Sequence, residues 1–282
     1  MKTLILTSIY SNLWGTEFGG RPGRGFHYKN SLLNILNIKP TKVVCVTSKE
    51  EITDLKDFFY VKNGVSSSLL EFIEFDLKKT KYFDKIIQIK DLEKIKKSDR
   101  CYEIQYNKFF WIDMIKDYQN YDRIYWFDAG LSHGGLFPDQ YRKSNKSDGY
   151  YQINLFTPQY LNYLNSLTQE KILLVSKNNS GQFFWSQHLP TQYYKEFNRS
   201  EHIVGGFFGG TPKKFIKLCE SFDNLLTLLL SQENSLYMEE LLMTCLYFNQ
   251  KDDYIALKFD DWYKRPNHTD SSIKYFYNMF EI

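Results

Sequence analysis

Tyr121-Asp-Arg-Ile-Tyr-Trp-Phe-Asp128-Ala-Gly-Leu-Ser-His133 decides how the rest of the chain is read. Its apolar centre, Arg123–Phe127, has the length and composition of a buried strand and stops on an acidic residue followed by Ala-Gly. A strand that ends this way carries Asp128 to its carboxyl end, where the carboxylate can hold a divalent cation that neutralises a diphosphate. An aspartate that only caps a turn has the same pattern. Ser132 and His133 follow, but sequence neighbours without a Gly-x-Ser-x-Gly elbow argue against an acyl-transfer triad.

Outward from this segment, residues 3–10, Lys42–Thr47 and residues 69–75 read as further strands, and residues 25–36 and 104–115 as helices. The alternation predicts an α/β fold, a mostly parallel sheet flanked by helices, with ligands held outside the carboxyl ends of the strands. Residues 138–201 are poor in periodicity and are expected to hold loops, short elements and a strand at 171–176. A strand at 202–208 then leads through Gly209, Gly210, Thr211 and Pro212 into a helix over 213–230, with Thr211 as N-cap and Pro212 as first helical residue. A helix over 235–248 and a strand over 254–259 complete the pattern. No repeat or linker interrupts it, so residues 1–282 read as one domain.

Composition removes several function classes. A chain that is 43% hydrophobic and 24% charged is not disordered. A net charge of +3, with acidic residues interleaved among Lys78, Lys79 and Lys81 and among Lys94, Lys96 and Lys97, is no nucleic-acid footprint; these are solvated helix faces. Cys45, Cys101, Cys219 and Cys245 lack metal-ligand spacing and read as reduced structural thiols. The apolar start reads as a buried first strand rather than a signal peptide, and no run approaches the ~20 apolar residues of a membrane span. A cytoplasmic protein is expected, with any membrane contact peripheral. The 23 Phe and 22 Tyr make an aromatic excess that fits a core, a polar cleft or the surface. Tyr10, Trp14, Phe18, Phe207, Phe208, Trp262 and Tyr263 stand beside glycine loops or strand ends, where a ligand is expected.

Four more segments carry chemistry-bearing residues. Residues 14–27 combine Gly15, Gly19, Gly20, Gly23 and Gly25 with Arg21 and Arg24 before a helix, a donor-rich loop suited to phosphate oxygens. It matches neither the dinucleotide fingerprint nor the Walker motif, and a mobile surface loop has the same composition. His202-Ile-Val-Gly-Gly-Phe-Phe-Gly-Gly-Thr211 brings backbone within reach of a ligand. Glu239 and Glu240 are adjacent on a helix, ~100° apart, so one is expected to face a cleft and the other solvent or a neighbour. Asp260 to His268 mixes possible metal ligands, phosphate donors and stacking rings.

Asn107-Lys-Phe-Phe, Tyr125-Trp-Phe-Asp-Ala-Gly-Leu-Ser-His and Gly205-Gly-Phe-Phe-Gly-Gly-Thr, in this order, resemble nucleotide-sugar glycosyltransferases of the GT-A fold, nearest to the WlaTC/HtrL-type bacterial glycosyltransferases. Phe-Phe-Gly-Gly-Thr with the acidic helix after it is also similar to the retaining galactosyl- and N-acetylgalactosaminyltransferases of blood-group type. The resemblance implies a Rossmann-like nucleotide-binding half, 1–137, and a donor-sugar and acceptor half, 138–282. It implies transfer of a hexose or N-acetylhexosamine from a nucleotide sugar, UDP-linked by preference, to a glycan or other hydroxyl acceptor. By it, Thr7, Ser8, Tyr10, Arg21, Arg24, Asn107, Lys108, Trp262 and Lys264 meet the nucleotide and phosphates, and Asp128 and Gly130 occupy the Asp-x-Asp motif. Phe208, Gly209 and Gly210 line the sugar, and Glu239, preferred, or Glu240 is the carboxylate near the anomeric carbon. Because the second Asp of the motif is Gly130, the implied Mn²⁺ or Mg²⁺ would need ligands such as His133 or His268, or Arg21, Arg24 and Lys264 would replace it. A non-catalytic sugar- or nucleotide-binding protein and a nucleotidyltransferase of similar fold are the alternatives.

Overall fold

The computed structural model describes residues 1–13, 16–18, 25–92, 101–131, 142–145, 150–153, 156–168, 170–178, 193, 201–233 and 235–260. The strands are β1 (Thr3–Ile9), β2 (Lys42–Thr47), β3 (Leu70–Glu74), β4 (Arg123–Phe127), β5 (Arg142–Asn145), β6 (Tyr150–Ile153), β7 (Ile172–Asn178), β8 (Glu201–Gly210) and β9 (Tyr254–Asp260). The helices are α1 (Gly25–Ile35), α2 (Lys49–Lys56), α3 (Phe83–Leu92), α4 (Tyr102–Asn107), α5 (Pro158–Leu167), α6 (Pro212–Gln232) and α7 (Glu239–Asn249). Seven strands make one sheet in the order β3-β2-β1-β4-β8-β7-β9, while β5 and β6 form a separate hairpin. Within the sheet β8 runs against its neighbours β4 and β7, and the other pairings are parallel. The expected α/β fold with a mostly parallel sheet is what the chain adopts.

Both faces of the sheet are covered, which is why β1 and β4 are buried along their whole length. One face packs Leu32 and Ile35 of α1, Leu55 of α2 and Leu161 and Leu164 of α5 against Ile5, Val43, Tyr125 and Phe207. The other packs Ile86 of α3, Tyr106 of α4, Phe222 of α6 and Leu242 of α7 against Leu6, Val44, Trp126 and Phe208. A column of rings crosses this second face: Tyr10 on Trp111 (6.1 Å), Trp111 on Trp126 (5.9 Å), Trp126 on Phe208 (6.3 Å), Phe208 on Phe109 (4.9 Å) and Phe109 on Phe222 (3.7 Å). Tyr10, Phe207 and Phe208, expected beside a ligand, are thus core rings, each under 10% exposed.

Three local differences from the sequence expectations have physical causes. The helix expected over 104–115 ends at Asn107, because the Phe110 N–H bonds to the Asn107 carbonyl (2.8 Å) and the chain tightens into a 3-10 turn at Trp111–Met114. α5 lies where low periodicity suggested loops; the Thr157 hydroxyl accepts the Tyr160 N–H (3.3 Å) and Pro158 opens the helix, the same start signal that Thr211 and Pro212 give α6. α7 begins at Glu239, with Met238 as an N-cap that offers no side-chain acceptor. Tyr193 is bonded to the α6–α7 pair: its hydroxyl bonds Gln232 Oε1 and Glu233 Oε1 (both 2.8 Å), and its carbonyl accepts Asn249 Nδ2 (2.8 Å).

Close seating of β8 on β4 requires glycine at position 209. A Cβ there would stand 2.8 Å from Tyr125 Cα and closer still to the Ile124 carbonyl oxygen, both main-chain atoms that cannot yield cheaply. Gly209→Ala should therefore lower the free energy of unfolding by about 1–3 kcal/mol, read by urea denaturation. An unchanged midpoint would contradict this packing.

Candidate functional site

The carboxyl ends of β1, β2, β3 and β4 lie along one edge of the sheet, and the reversed β8 brings its first half to the same edge. Asp128 follows β4 directly. Its N–H donates to the Gly206 carbonyl (2.8 Å), its carbonyl accepts the Leu131 N–H (2.9 Å), and its half-buried side chain faces the Gly130 N–H at 3.5 Å. The β4 strand thus ends in a tight turn stitched to β8, and the turn holds Asp128 at the edge.

Beside it β8 bulges. Leu174 and Val175 of β7 are consecutive, but their partners on β8 are Phe208 and Val204, so Gly205, Gly206 and Phe207 are extra on the β8 side. Bulges at sheet edges re-aim backbone groups that a regular ladder would occupy. Here two side chains claim the Gly205 peptide groups: the Lys108 ammonium donates to its carbonyl (3.0 Å), and its N–H donates to Glu240 Oε1 (3.0 Å). The same Lys108 ammonium binds Glu239 Oε1 at 2.7 Å and lies 5.7 Å from the centre of the Trp126 ring. Both members are buried, with Lys108 3% and Glu239 8% side-chain exposed. Removing one partner of such a pair leaves an uncompensated buried charge and costs about 3–5 kcal/mol.

Glycine at 205 is a steric requirement too, because a Cβ would meet the Glu239 carboxylate and stand 3.1 Å from Glu240 Cγ. The two adjacent glutamates, expected to point apart, converge on this one residue from the first turn of α7. Glu239 reaches it through Lys108, and Glu240 reaches it directly. Acidic residues in a helix's first turn also complement its N-terminal partial charge. Of the two, Glu240 is the one left half-buried at the edge.

A third carboxylate, not singled out from the sequence, stands at the carboxyl end of β2. Glu51 takes the Ser11 N–H at 2.7 Å and so ties the chain leaving β1 to the start of α2. Ser48-Lys-Glu-Glu51 has the spacing of a capping box, yet the Ser48 side chain makes no cap and Glu51 turns to Ser11 instead. Burial raises the Glu51 carboxyl above its ordinary value, against hydrogen bonds from Ser11 and Asn12 that lower it.

The remaining sequence candidates fall into three groups. Thr7 is fully buried within the sheet, Ser8 is buried nearer the edge, and Tyr10 donates its hydroxyl to the Phe75 carbonyl (2.9 Å), bracing β1 against the end of β3. Asn107 is buried and spends its amide on Thr80 Oγ1 (2.6 Å). Phe208, Gly209 and Gly210 are buried opposite Trp126, Tyr125 and Ile124, toward the amino end of β4; the glycine pair that reaches the edge is Gly205 and Gly206. Arg21, Arg24, Trp262, Lys264 and His268, and with them Trp14, His133 and Tyr263, lie outside the described residues. Among the described residues no three His, Cys, Asp or Glu gather to hold a metal. Asp128 alone does not fit a metal site built from described side chains.

No protein-family model matches the chain, and no curated protein does. Among solved structures it is similar to the galactosyltransferase LgtC in complex with donor and acceptor sugar analogues (9% identity over 90% of this chain and 72% of that one, TM-score 0.48). It is also similar to the mannosyltransferase Ktr4p from S. cerevisiae (10% identity, 88% and 65%, TM-score 0.47). A third likeness is to a putative glucose-1-phosphate thymidylyltransferase from Bacillus anthracis (14% identity, 93% and 88%, TM-score 0.44). At these values the likenesses carry no correspondence of residues or activity. Among the described residues no helix is long and apolar enough to cross a membrane.

The raised Glu51 carboxyl has a signed consequence. The folded chain holds that proton more tightly than the unfolded chain, so stability falls as pH rises from the ordinary glutamate range to the raised value and is level above it. Glu51→Gln should flatten this part of the profile, measured by chemical denaturation across about pH 4 to 7. A wild-type slope in the variant would contradict it.

Proposed function

We propose that the chain transfers a hexose or N-acetylhexosamine from a nucleotide sugar, UDP-linked by preference, to a hydroxyl acceptor. The observation that carries this reading is the convergence, at one sheet edge, of Asp128 after β4, the Gly205–Gly206 bulge and the half-buried Glu240. The motif order that resembles GT-A glycosyltransferases supplies the reaction class.

In this reaction the acceptor oxygen bonds to the anomeric carbon, and the bond from that carbon to the diphosphate oxygen breaks. The nucleoside diphosphate leaves with the electron pair, and the acceptor proton passes to solvent. Positive charge grows at the sugar ring in the transition state. Glu240 is the carboxylate placed to stabilise it, in a position set by the Gly205 N–H. Glu239 is the weaker candidate, because its carboxylate is engaged by Lys108 and buried. Asp128 lies on the donor side, where the chain leaves β4. A divalent cation brought in with the donor would supply charge neutralisation at the diphosphate. A cytoplasmic, single-domain enzyme remains part of this reading.

The test incubates purified protein with UDP-, GDP- and CMP-sugars, with and without Mn²⁺, and measures nucleotide release. UDP release from a UDP-sugar is expected, and Glu240→Gln should lower kcat by about 10²–10³-fold with melting temperature unchanged. Absence of nucleotide release from every donor would overturn the proposal. Pyrophosphate release from UTP or CTP would assign the chain to nucleotidyl transfer instead.

A further inference from the structure

Building on the assignment of Glu240, we propose that Lys108 and Glu239 are a positioning pair: they fix the backbone at Gly205 and, through it, the direction of the Glu240 carboxylate. The bonds form a continuous chain from Glu239 Oε1 to Lys108 Nζ (2.7 Å), from Lys108 Nζ to the Gly205 carbonyl (3.0 Å), and from the Gly205 N–H to Glu240 Oε1 (3.0 Å). Three features make this chain more than core packing.

First, it acts on a glycine inside a bulge. Two successive peptide planes meet at the Gly205 Cα, and with no β7 partner and no Cβ they have the widest choice of orientation in a strand, so holding the N–H of one and the carbonyl of the other fixes the backbone dihedrals there. Second, Lys108 is held by α4 itself: it caps the helix in helical conformation and its N–H still bonds the Ile104 carbonyl (3.2 Å), so the helix fixes the start of the side chain that reaches Gly205. Third, Lys108 is enclosed. With its side chain 3% exposed over the Trp126 ring, it acts on Gly205 and Glu239 rather than on a donor phosphate in the cleft. The sequence resemblance placed Lys108 among the donor-binding residues, and the geometry assigns it to the bulge. Glu239 completes the arrangement by balancing the buried charge, and Tyr106 beside it is anchored through its hydroxyl to the Tyr237 carbonyl (2.6 Å).

The experiment uses the full chain with Lys108→Met, Lys108→Arg and Glu239→Gln, and Glu240→Gln for comparison. Amide hydrogen exchange is read for the peptide spanning 204–207, together with kcat and KM for nucleotide release from a UDP-sugar. Lys108→Met and Glu239→Gln should speed exchange at 204–207 by ~10-fold while leaving β1 and β2 protected. They should lower kcat ~10²-fold with little change in donor KM, the effect of a displaced reacting group. Lys108→Arg, which keeps the charge and the donor, should recover most of both, and Glu240→Gln should lower kcat without speeding exchange. Unchanged exchange at 204–207 together with wild-type kcat in Glu239→Gln, the isosteric variant, would overturn the proposal. So would a rise in donor KM at constant kcat in Lys108→Met, which marks direct donor contact. If wild type releases no nucleotide while Lys108→Met and Glu239→Gln still speed exchange at 204–207, the transferase reading falls and the hold of the pair on the bulge stands.

Discussion

The seating of β8 against β4 is the contact on which the edge of this molecule depends. Strand reversal puts the amino-terminal half of β8 beside the carboxyl end of β4, so that the Asp128 N–H and the Gly206 carbonyl meet. Gly209 lets the two backbones approach, and Phe208 opposite Trp126 fixes the register from the core side. A slip of one residue would turn Phe208 to the other face and break the ring stack. With the register held from below, the bulge above it can leave the β7 ladder and offer Gly205 to α7 without unsettling the sheet.

The aromatic excess belongs mostly to this scaffold. Tyr10 after β1 and rings from β4, β8, α6 and the turns around Phe109 and Trp111 stack into one column, and together they cover the face on which α4, α6 and α7 lie. Tyrosines take part where a hydroxyl can bond to backbone, as Tyr10 does with Phe75 and Tyr106 with Tyr237. The column is thus a packing device inside the core; it is not a row of sugar-stacking rings.

Much of the fold is legible in residue pattern alone. Arg123–Phe127 and Lys42–Thr47 are continuous apolar runs, as strands buried on both faces must be, and Thr211-Pro212 marks a helix start by local hydrogen bonding that needs no tertiary context. Thr157-Pro158 carries the same signal, but Asn, Gln and Tyr around it blur the apolar face of α5. Site geometry is less legible. His202–Thr211 contains two glycine pairs, and only strand direction tells which one reaches the carboxyl edge; direction is set by pairing with a distant strand. Glu51 looks like a local cap and acts across 40 residues on Ser11. Adjacent Glu239 and Glu240 look divergent on a helical projection, yet Lys108, far away in sequence, draws the first of them to the glycine that the second also holds.

The central claim is that a sugar nucleotide lies along this edge, with its diphosphate beside Asp128 and its sugar ring beside Glu240. A crystal structure of the protein soaked with a UDP-sugar and Mn²⁺ tests it most directly. The account predicts density for the diphosphate within contact of the turn at Asp128 and the anomeric carbon facing the Glu240 carboxylate across the Gly205–Gly206 bulge. Density at the opposite edge of the sheet, by Gly210 and the start of α6, or a bound nucleotide with its sugar turned away from Glu240, would contradict it.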